Sequence, residues 1–516
     1  MLVIPTFTWT FEKPELLRPL WGSIANLPAL SIYIFAQIPG TFVGYIFIAC
    51  DESRYTKTMT TPTSQATHSL GLPVHPTGMT DPKDPPTGLK IAFLCYRGNP
   101  RCGGQGVYTR YLTRDLVAMG HQVEVFAGPP YPELEPGVVL NKVPSLDLYR
   151  DPDPFRIPRP REFKSLIDLA EFAIMCTAGF PEPLAFSWRV KALLETRLGD
   201  FDVVHDNQCL GRGLTGIMEM GLPLVETIHH PITVDRELDL AHATSLRRKL
   251  SLRRWYGFLG MQMKIARTIP NVITVSSSSK RDIAEQMGVP LDRMSVVPVG
   301  VDHTIFRPLE GVERVKGRIM TTASADVPMK GLVPLLRAVA ILSKARTVEL
   351  VVIGRLRPES KIPKLIDDLG ITSQVRFVSG ISDDELVKNY AETELAVVPS
   401  LYEGFSLPAI EAMACGVPLV GTTGGAIPEV VGTNGDTGIL VPPNNPEELA
   451  EAIGLVMDDP VLAKSIGQGG RKRVLDRFTW RETARGTLRA YDRALGKTSA
   501  TEVLEDSISR PGVAGC

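Results

Sequence analysis

The stretch Leu401-Tyr-Glu-Gly-Phe-Ser-Leu-Pro-Ala-Ile-Glu-Ala-Met-Ala-Cys-Gly-Val-Pro418 decides the fold because it joins an apolar strand to a helix through a glycine loop. The apolar run 395–399 precedes it and has the length of a buried strand. Pro408 suits a first helical turn, Ser406 can cap that turn, and Gly416 can end the helix in the left-handed conformation. The pattern predicts one strand–loop–helix unit of a parallel α/β protein.

The start of this helix has the chemistry of an anion site flanked by carboxylates. Backbone N–H groups at a helix N-terminus are free to bind phosphate. Those groups belong to Gly404, Phe405, Ser406 and Leu407. Glu403 lies in the preceding loop and Glu411 about one turn into the helix, and carboxylates accept hydrogen bonds from sugar hydroxyls. The pattern therefore predicts a nucleotide sugar, with its diphosphate in the middle and a sugar at each end.

The pair Glu403-x7-Glu411 is followed by the motifs Thr-Thr-Gly-Gly-Ala-Ile-Pro-Glu at 422–429 and Thr-Gly-Ile-Leu-Val-Pro at 437–442. Together they resemble the retaining glycosyltransferases of family four, and the resemblance runs over roughly four-fifths of the chain, from about 91 to 494. It implies a GT-B fold, in which two Rossmann-like domains with parallel sheets face each other across a donor cleft. It also implies sugar transfer from a nucleoside diphosphate without an obligatory metal.

The resemblance assigns roles to individual residues. Glu403 contacts the donor sugar, Glu411 holds the nucleotide ribose, the amides at 405–407 hold the diphosphate, and Lys330 neutralises the departing charge. The family also has an arginine five or six residues before this lysine, where this chain has serine and alanine at 324 and 325. Arg355, at the end of another predicted strand, either takes over this function or is an ordinary solvated loop residue.

The first predicted strand, 90–96, leads into a glycine-rich loop that contains Gly103, Gly104 and Gly106. Such a loop can hold backbone N–H groups against a phosphate or sugar. A nicotinamide-binding fingerprint is not met, because the third glycine position is Thr109. By resemblance the loop binds donor, and His229, in a Thr-x-His pattern at a strand end, lies near the donor sugar. His229 thus joins Glu403 and Lys330 as a catalytic candidate, ahead of His230 and His205.

Composition narrows the classes of function. A formal net charge of −1 gives no global sign of nucleic-acid binding. Seven cysteines without C-x-x-C spacing indicate reduced thiols in a cytoplasmic protein. The pair Asp151-Pro-Asp153 imitates a metal-binding motif, but it lies in a proline-rich loop, so we predict no metal site and no cofactor beyond the donor substrate.

The pattern of strands and helices divides the chain into five parts. Residues 1–88 form an N-terminal extension, 89–300 an acceptor domain, 301–480 a donor domain, 481–497 a helix completing the fold, and 498–516 a loose tail. Within the extension, 30–50 is apolar and near membrane-spanning length, and 59–88 is rich in threonine, proline and serine. A membrane anchor, a disordered extension and a mis-assigned start upstream of Met59 or Met79 all remain open, and the last is favoured.

The basic stretch 247–264 places Leu252, Trp255 and Leu259 on one helical face. A buried apolar face with a solvated basic face is the favoured interpretation. Peripheral contact with an anionic membrane, through the aromatic residues and the cations beside them, is the alternative.

The predicted function is that of a metal-independent retaining hexosyltransferase, which moves a hexose from a nucleoside diphosphate sugar to a lipid, glycan or small-molecule hydroxyl. Two other classes stay open. A nucleotide-sugar epimerase could share the fold and the glutamate pair, and a catalytically weakened sugar-nucleotide-binding protein is suggested by the missing arginine.

Overall fold

The computed structural model describes residues 88–100, 104–150, 152–243, 245–323, 327–356 and 360–497. Within them lie two parallel β-sheets. The first has seven strands in the order β3-β2-β1-β4-β5-β6-β7, and the second has six in the order β10-β9-β8-β11-β12-β13. All pairs within each sheet are parallel. The prediction of two α/β halves with parallel sheets is therefore confirmed.

The strands of the first sheet are β1 Lys90–Cys95, β2 Gln122–Ala127, β3 Val139–Lys142, β4 Val203–Asn207, β5 Leu224–Ile228, β6 Asn271–Thr274 and β7 Met294–Val296. Those of the second are β8 Val315–Thr322, β9 Glu349–Ile353, β10 Val375–Val378, β11 Thr393–Val398, β12 Leu419–Thr422 and β13 Ile439–Val441. The short strands β3, β12 and β13 were not predicted, because a three- or four-residue apolar run carries no clear period.

The helices of the first half are α1 Gln105–Ala118, α2 Leu166–Cys176, α3 Glu182–Glu195, α4 Gly213–Glu219, α5 Thr233–His242, α6 Leu246–Trp255, α7 Leu259–Ala266 and α8 Ser277–Met287. Those that follow are α9 Leu332–Leu342, α10 Ile362–Asp368, α11 Asp383–Glu392, α12 Leu407–Ala414, α13 Ile427–Val431, α14 Pro446–Asp458, α15 Pro460–Arg477 and α16 Trp480–Ala494.

Both faces of each sheet are buried, which explains the near-continuous apolar strands. In β1, Ile91 and Phe93 contribute to one hydrophobic cluster, whereas Ala92 and Leu94 contribute to the cluster on the opposite face. The second sheet is divided in the same way between two further clusters. Parallel strands carry their following loops to one edge, so each sheet presents a carboxyl edge where ligands bind in folds of this type.

The last helix, α16, packs against the first sheet although it follows the second in sequence. Trp480 and Tyr491 belong to the same buried cluster as Phe93, and the Trp480 ring stacks on Tyr111 with centroids 5.5 Å apart. The chain therefore returns to the first half, and this contact ties the two halves together.

The basic stretch 247–264 is not one continuous helix, as the prediction had it. Helix α6 ends at Trp255, a 3₁₀ turn covers Tyr256–Phe258, and α7 begins at Leu259. Gly257 and Gly260 lie around this break, and glycine is a poor helix former. Leu252 and Leu259 are buried as predicted.

The predictions for the N-terminal extension and the C-terminal tail fall on residues outside the described part of the chain. Among the residues that the structure describes, no helix has both the length and the apolar character needed to cross a bilayer. Four cysteines, at 95, 176, 209 and 415, are buried free thiols.

Candidate active site

The loop after β11 places Glu403 in a buried position beside a lysine. Lys330 Nζ lies 2.9 and 3.1 Å from the two carboxylate oxygens, and the Ser400 hydroxyl donates to Oε1 at 2.7 Å. Lys330 keeps about a third of its side chain exposed, whereas Glu403 keeps about a tenth. A cation and a carboxylate are thus held together at the carboxyl edge of the second sheet, with the cation toward solvent.

Two glycines allow this pairing. Gly331 has a φ of +68°, and a Cβ there would lie 1.8 Å from the Pro399 carbonyl oxygen. Gly425 has a φ of +62°, and its Cβ would lie 2.3 Å from the Glu403 carbonyl oxygen. Only glycine combines left-handed backbone with such close approach. The loop that carries Glu403 is therefore packed between the turn that carries Lys330 and the turn after β12.

Ser406 occupies the N-cap position of α12, as predicted, but its side chain makes no capping hydrogen bond. The Ser406 hydroxyl is fully buried and has no hydrogen-bond partner within the described part of the chain. Buried polar atoms are nearly always paired, so this hydroxyl has unused hydrogen-bonding capacity at the helix start. Helix α12 does end at a left-handed glycine, Gly416, with a φ of +65°.

Glu411 lies one turn into α12 and receives a hydrogen bond from the Tyr390 hydroxyl at 3.2 Å. Burial raises the pKa of the Glu411 carboxyl to about 7, against the lowering effect of the Tyr390 hydrogen bond. A carboxyl with a pKa near 7, close to a helix N-terminus, can gain or lose its charge around neutral pH.

On the opposite edge, His229 follows β5 and its orientation is fixed by Asn207, at the end of β4. The Asn207 side-chain nitrogen donates to the Gln105 carbonyl and to the Thr109 hydroxyl, so its oxygen faces His229 Nε2 at 2.8 Å. Burial, and next the charge of His230, lower the pKa of His229 to about 3. The imidazole is therefore neutral, Nε2 carries the hydrogen, and Nδ1 is left as an acceptor.

The turn after β4 supports the same histidine. Gln208 and Leu210 have φ values of +56° and +51°, which are rare for residues with side chains. The Gln208 side chain accepts from the His229 backbone N–H at 2.8 Å and donates to the His230 carbonyl at 2.8 Å. Behind the turn, the buried carboxyl groups of Asp206 and Glu226 accept backbone N–H groups at 208–210.

These two carboxyl groups also face each other. Burial raises the pKa of Asp206 to about 6, and burial together with the charge of Asp206 raises the pKa of Glu226 well above its ordinary range. One proton shared between them avoids two buried negative charges in contact. The strained turn that holds His229 therefore rests on an acid pair that carries one negative charge instead of two.

The glycine loop after β1 is described from Gly104 onward, and Gly103 lies outside the described residues. Gly104 is the N-cap of α1 with a φ of +59°, and a Cβ there would meet open space. Gly106 is packed instead, because its Cβ would lie 2.1 Å from the Asn99 carbonyl oxygen. Gly104 thus has open space beside it, whereas Gly106 permits backbone packing.

The two edges touch at Gly404 and Glu429. The hydroxyls of Ser276 and Ser279, at the start of α8, donate to the Gly404 carbonyl at 2.7 and 3.1 Å. Glu429 accepts the backbone N–H groups of residues 277 and 278, both at 2.7 Å. The structure thereby brings the Glu403 loop against His229 and His230: a Cβ on Gly404 would lie 3.3 Å from the His230 Cβ.

The remaining candidates fall elsewhere. Arg355 is exposed just after β9, and the serine–alanine pair at 324 and 325 lies outside the described residues. His205 is wholly buried between the Tyr491 and Thr227 hydroxyls, both at 2.7 Å, so it is a structural residue. No metal-binding cluster occurs among the described residues; Asp153 is exposed, and Asp151 is outside them.

Sequence reasoning missed Asn207, Gln208, Tyr390 and Ser400, and it gave Glu429 no role. A usable signal existed for the first two, because a polar run at 205–208 directly follows an apolar strand. Tyr390 and Ser400 gave no such signal, since neither stands at a distinctive spacing from its glutamate partner.

Comparison with known proteins agrees with this geometry. The model for "Glycosyl transferases group 1" matches residues 310–473, and that for "Glycosyltransferase Family 4" matches residues 102–305. An MMP alpha-(1->4)-mannosyltransferase from Mycolicibacterium hassiacum is 52% identical over 413 residues, covering 80% of this chain and 100% of that protein. A D-inositol 3-phosphate glycosyltransferase from Acidothermus cellulolyticus is 27% identical, covering 82% and 95%.

Among solved structures, sucrose-phosphate synthase from Thermosynechococcus elongatus superposes with a TM-score of 0.59 at 22% identity. That alignment covers 80% of this chain and 100% of the synthase chain, and it shows the shared GT-B fold. The sequence relatives and both matching family models are glycosyltransferases, so they support this activity as well as the fold. The chain is a glycosyltransferase and belongs to family four.

Proposed function

We propose that the protein is a retaining mannosyltransferase that moves mannose from a nucleoside diphosphate mannose to a hydroxyl group of an acceptor saccharide. The 52% identity to a mannosyltransferase over that protein's whole length supports the choice of sugar. The donor assignment depends on one observation at the start of α12. The buried Ser406 hydroxyl, which has no partner among the described residues, lies in the chain between Glu403 and Glu411.

In this proposal the donor lies across α12. The diphosphate accepts hydrogen bonds from the backbone N–H groups at 405–407 and from the Ser406 hydroxyl. Glu411 accepts hydrogen bonds from the ribose hydroxyls, and Glu403 accepts them from the mannose hydroxyls. Lys330 neutralises the charge that develops on the departing phosphate. Its pairing with Glu403 then loosens, because one ammonium serves two anions.

The reaction breaks the bond between mannose C1 and the phosphate oxygen and forms a bond from C1 to the acceptor oxygen on the same face. The acceptor's proton passes to the departing phosphate oxygen, so atoms and charge balance. The transition state is oxocarbenium-like, and no inward acid–base pair of carboxyls is required. His229, neutral with Nδ1 free to accept, would orient a donor-sugar hydroxyl.

The test is incubation with GDP-mannose and, separately, UDP-glucose, with an α-linked mannooligosaccharide as acceptor. We expect free GDP and an elongated product whose new linkage has the α configuration by NMR. Conversion of one nucleotide sugar into another would instead support an epimerase. Binding without turnover would support a protein that has lost catalysis, as the missing arginine suggests.

Metal independence is part of the proposal, since Lys330 and helix amides supply the positive charge. Turnover should persist in excess EDTA. Loss of activity that Mn²⁺ or Mg²⁺ restores would contradict the proposal and would bring Asp151 and Asp153 back as ligands.

A further inference from the structure

A group of partly exposed aromatic side chains lies beside the catalytic edge of the first sheet and has no function in the reaction described above. Five rings form it, and we call them the aromatic platform: Tyr149, Phe155, Phe180, Trp255 and Phe258. We propose that the platform is an acceptor subsite that binds the apolar ring faces of an uncharged oligosaccharide. This inference rests on the proposed function and names the acceptor class for the same active site.

Trp255 is the centre of the platform. Its ring centroid lies 5.7 Å from that of Tyr149, 6.1 Å from Phe155 and 5.2 Å from Phe180. Phe258 joins through Phe180 at 5.3 Å. None of the five is fully buried. Contacting aromatic rings that remain partly in water present electron-rich faces, against which the C–H-bearing face of a pyranose packs well.

The connections of the chain place the platform on the same edge as His229. Helix α3 leads into β4 and α7 leads into β6, so the first residues of both helices lie at the carboxyl edge of the sheet. Phe180 comes just before α3, and Phe258 just before α7. Tyr149 follows β3, and its hydroxyl donates to the Gly179 carbonyl at 3.3 Å.

A chain of contacts joins the platform to the turn that holds His229. Cys209, in that turn, donates from its thiol to the Pro183 carbonyl at 3.2 Å and accepts at its own carbonyl from the Gln262 side chain at 3.0 Å. Pro183 is three residues from Phe180, and Gln262 is four from Phe258. Phe258 is thus about one turn of α7 from a residue that touches the His229 turn, and Phe180 is three residues from another.

The charges that adjoin the platform favour an uncharged ligand. Arg97 is bound to both oxygens of Glu182 at 2.9 Å, and the Arg254 guanidinium donates to the Thr177 hydroxyl at 2.6 Å. Arg253 is exposed, but it stands two residues before Trp255, on a different face of α6. Arg97 is thus neutralised by Glu182, and the exposed Arg254 has further N–H groups that sugar hydroxyls can accept, so no charge on the ligand is required.

The remaining cations of α6 are Arg247 and Arg248, which are exposed, and Lys249, which is partly buried; they lie six to eight residues from Trp255, roughly 9–12 Å along the helix. They make an anionic membrane the competing occupant of this surface. A saccharide is favoured because the platform is continuous with the edge that carries His229, where an acceptor must end.

The test is binding of an α-(1→4)-linked mannotetraose to the full chain in the presence of GDP, by calorimetry, for wild type and for Trp255→Ala. We expect the variant's Kd to rise about three- to tenfold, with GDP affinity unchanged. Trp255→Phe should recover part of the loss. Phe163→Ala is the matched control: it truncates another partly buried ring, one whose ring contact is with Phe172 and not with a platform ring.

Turnover gives a second readout. For Trp255→Ala, the KM for mannotetraose should rise by the same factor, whereas the KM for methyl α-mannoside should not change, since a single sugar need not reach the platform. Equal effects of Trp255→Ala and Phe163→Ala would overturn the subsite. Loss of binding to phosphatidylglycerol vesicles with mannotetraose binding intact would overturn it in favour of a membrane contact. If mannotetraose binds as expected but no mannose is transferred, the proposed function fails and the subsite stands.

Discussion

The carboxyl edges of the two sheets satisfy their buried polar groups in different ways. On the first edge Asn207 and Gln208 bind the side chains and backbone around His229, and Asp206 and Glu226 each accept backbone N–H groups. The other oxygens of these two carboxyls have no partner among the described residues unless the pair shares a proton. On the second edge the Ser406 hydroxyl has no partner among the described residues. The first edge therefore pairs its buried carboxyls through a proton of its own, whereas the second leaves a hydroxyl that we assign to the proposed donor.

The two edges also differ in the charges of their side chains. At the first edge, burial keeps His229 neutral and the acid pair shares a proton. At the second edge Lys330 and Glu403 are held in direct contact and Glu411 has a pKa near 7. An ion pair and a titratable carboxyl are thus present at the edge to which we assign the donor diphosphate. Each of the following predictions changes one side of this contrast.

The largest effect is expected for Lys330→Ala. Loss of the cation facing the departing diphosphate should lower kcat roughly 10²–10³-fold, the usual effect of removing one preorganised stabilising group. Lys330→Arg should retain part of the rate, and Lys344→Ala, an exposed lysine, should retain all of it. A Lys330→Ala rate within threefold of wild type, in a variant with unchanged melting temperature, would remove Lys330 from the mechanism.

The next effect is expected for Glu411→Gln. Loss of charge-assisted hydrogen bonds to the ribose should weaken nucleotide binding at pH 8 by about 1.5–3 kcal/mol, as measured by calorimetry. Because burial raises the pKa of Glu411 to about 7, wild-type affinity should fall as pH drops from 8 to 6, while the carboxylate takes up its proton. The variant has no such group, so its affinity should stay flat; parallel curves would contradict the assignment.

A smaller effect is expected for Asn207→Ala, which removes the group that sets the His229 tautomer. Misorientation of the imidazole should lower kcat about tenfold without changing nucleotide affinity. In wild type, ¹⁵N shifts should show hydrogen on Nε2 and none on Nδ1 from pH 8 down to about 5. Titration of His229 within that range would show that burial does not hold it neutral.

Much of the second edge could be predicted from sequence, because local rules dictate it. A strand, a glycine loop, a proline in the first helical turn and a terminal glycine specified α12 and placed Glu403 and Glu411 correctly around its start. The expected capping hydrogen bond of the Ser406 side chain was wrong. The sequence is the same whether or not an N-cap serine makes that bond.

The first edge was harder to predict because its contacts are long-range. Asn207 bonds to Thr109 and Gln105, which are separated from it by 98 and 102 positions in the sequence. Tyr491 bonds to His205 across a separation of 286 positions. Nothing local shows that His205 is buried and structural while His229, at the end of the next strand, faces the cleft. The break between α6 and α7 was missed for another reason: the apolar positions keep helical spacing on both sides of it.

The smallest effect concerns the acid pair behind the His229 turn. The folded protein holds a proton on Glu226 that an unfolded chain, with a glutamate pKa of about 4.3, releases at neutral pH. The folded state therefore binds more protons, and its stability falls as pH rises above about 4.3 toward the folded pKa. Glu226→Gln carries a permanent N–H donor toward Asp206 and keeps an oxygen to accept the Gln208 N–H, so it escapes this loss.

We expect the unfolding free energies of Glu226→Gln and wild type to be similar near pH 4.5 and to diverge with rising pH. At pH 8 the variant should be more stable by about 1 kcal/mol or more, since one pKa unit corresponds to about 1.4 kcal/mol. Urea unfolding midpoints at four pH values measure this difference, and terms from buried histidines cancel because both proteins share them. Glu451→Gln, at an exposed position, should run parallel to wild type. Parallel curves for Glu226→Gln as well would show that the two carboxyls do not share a proton in the folded protein.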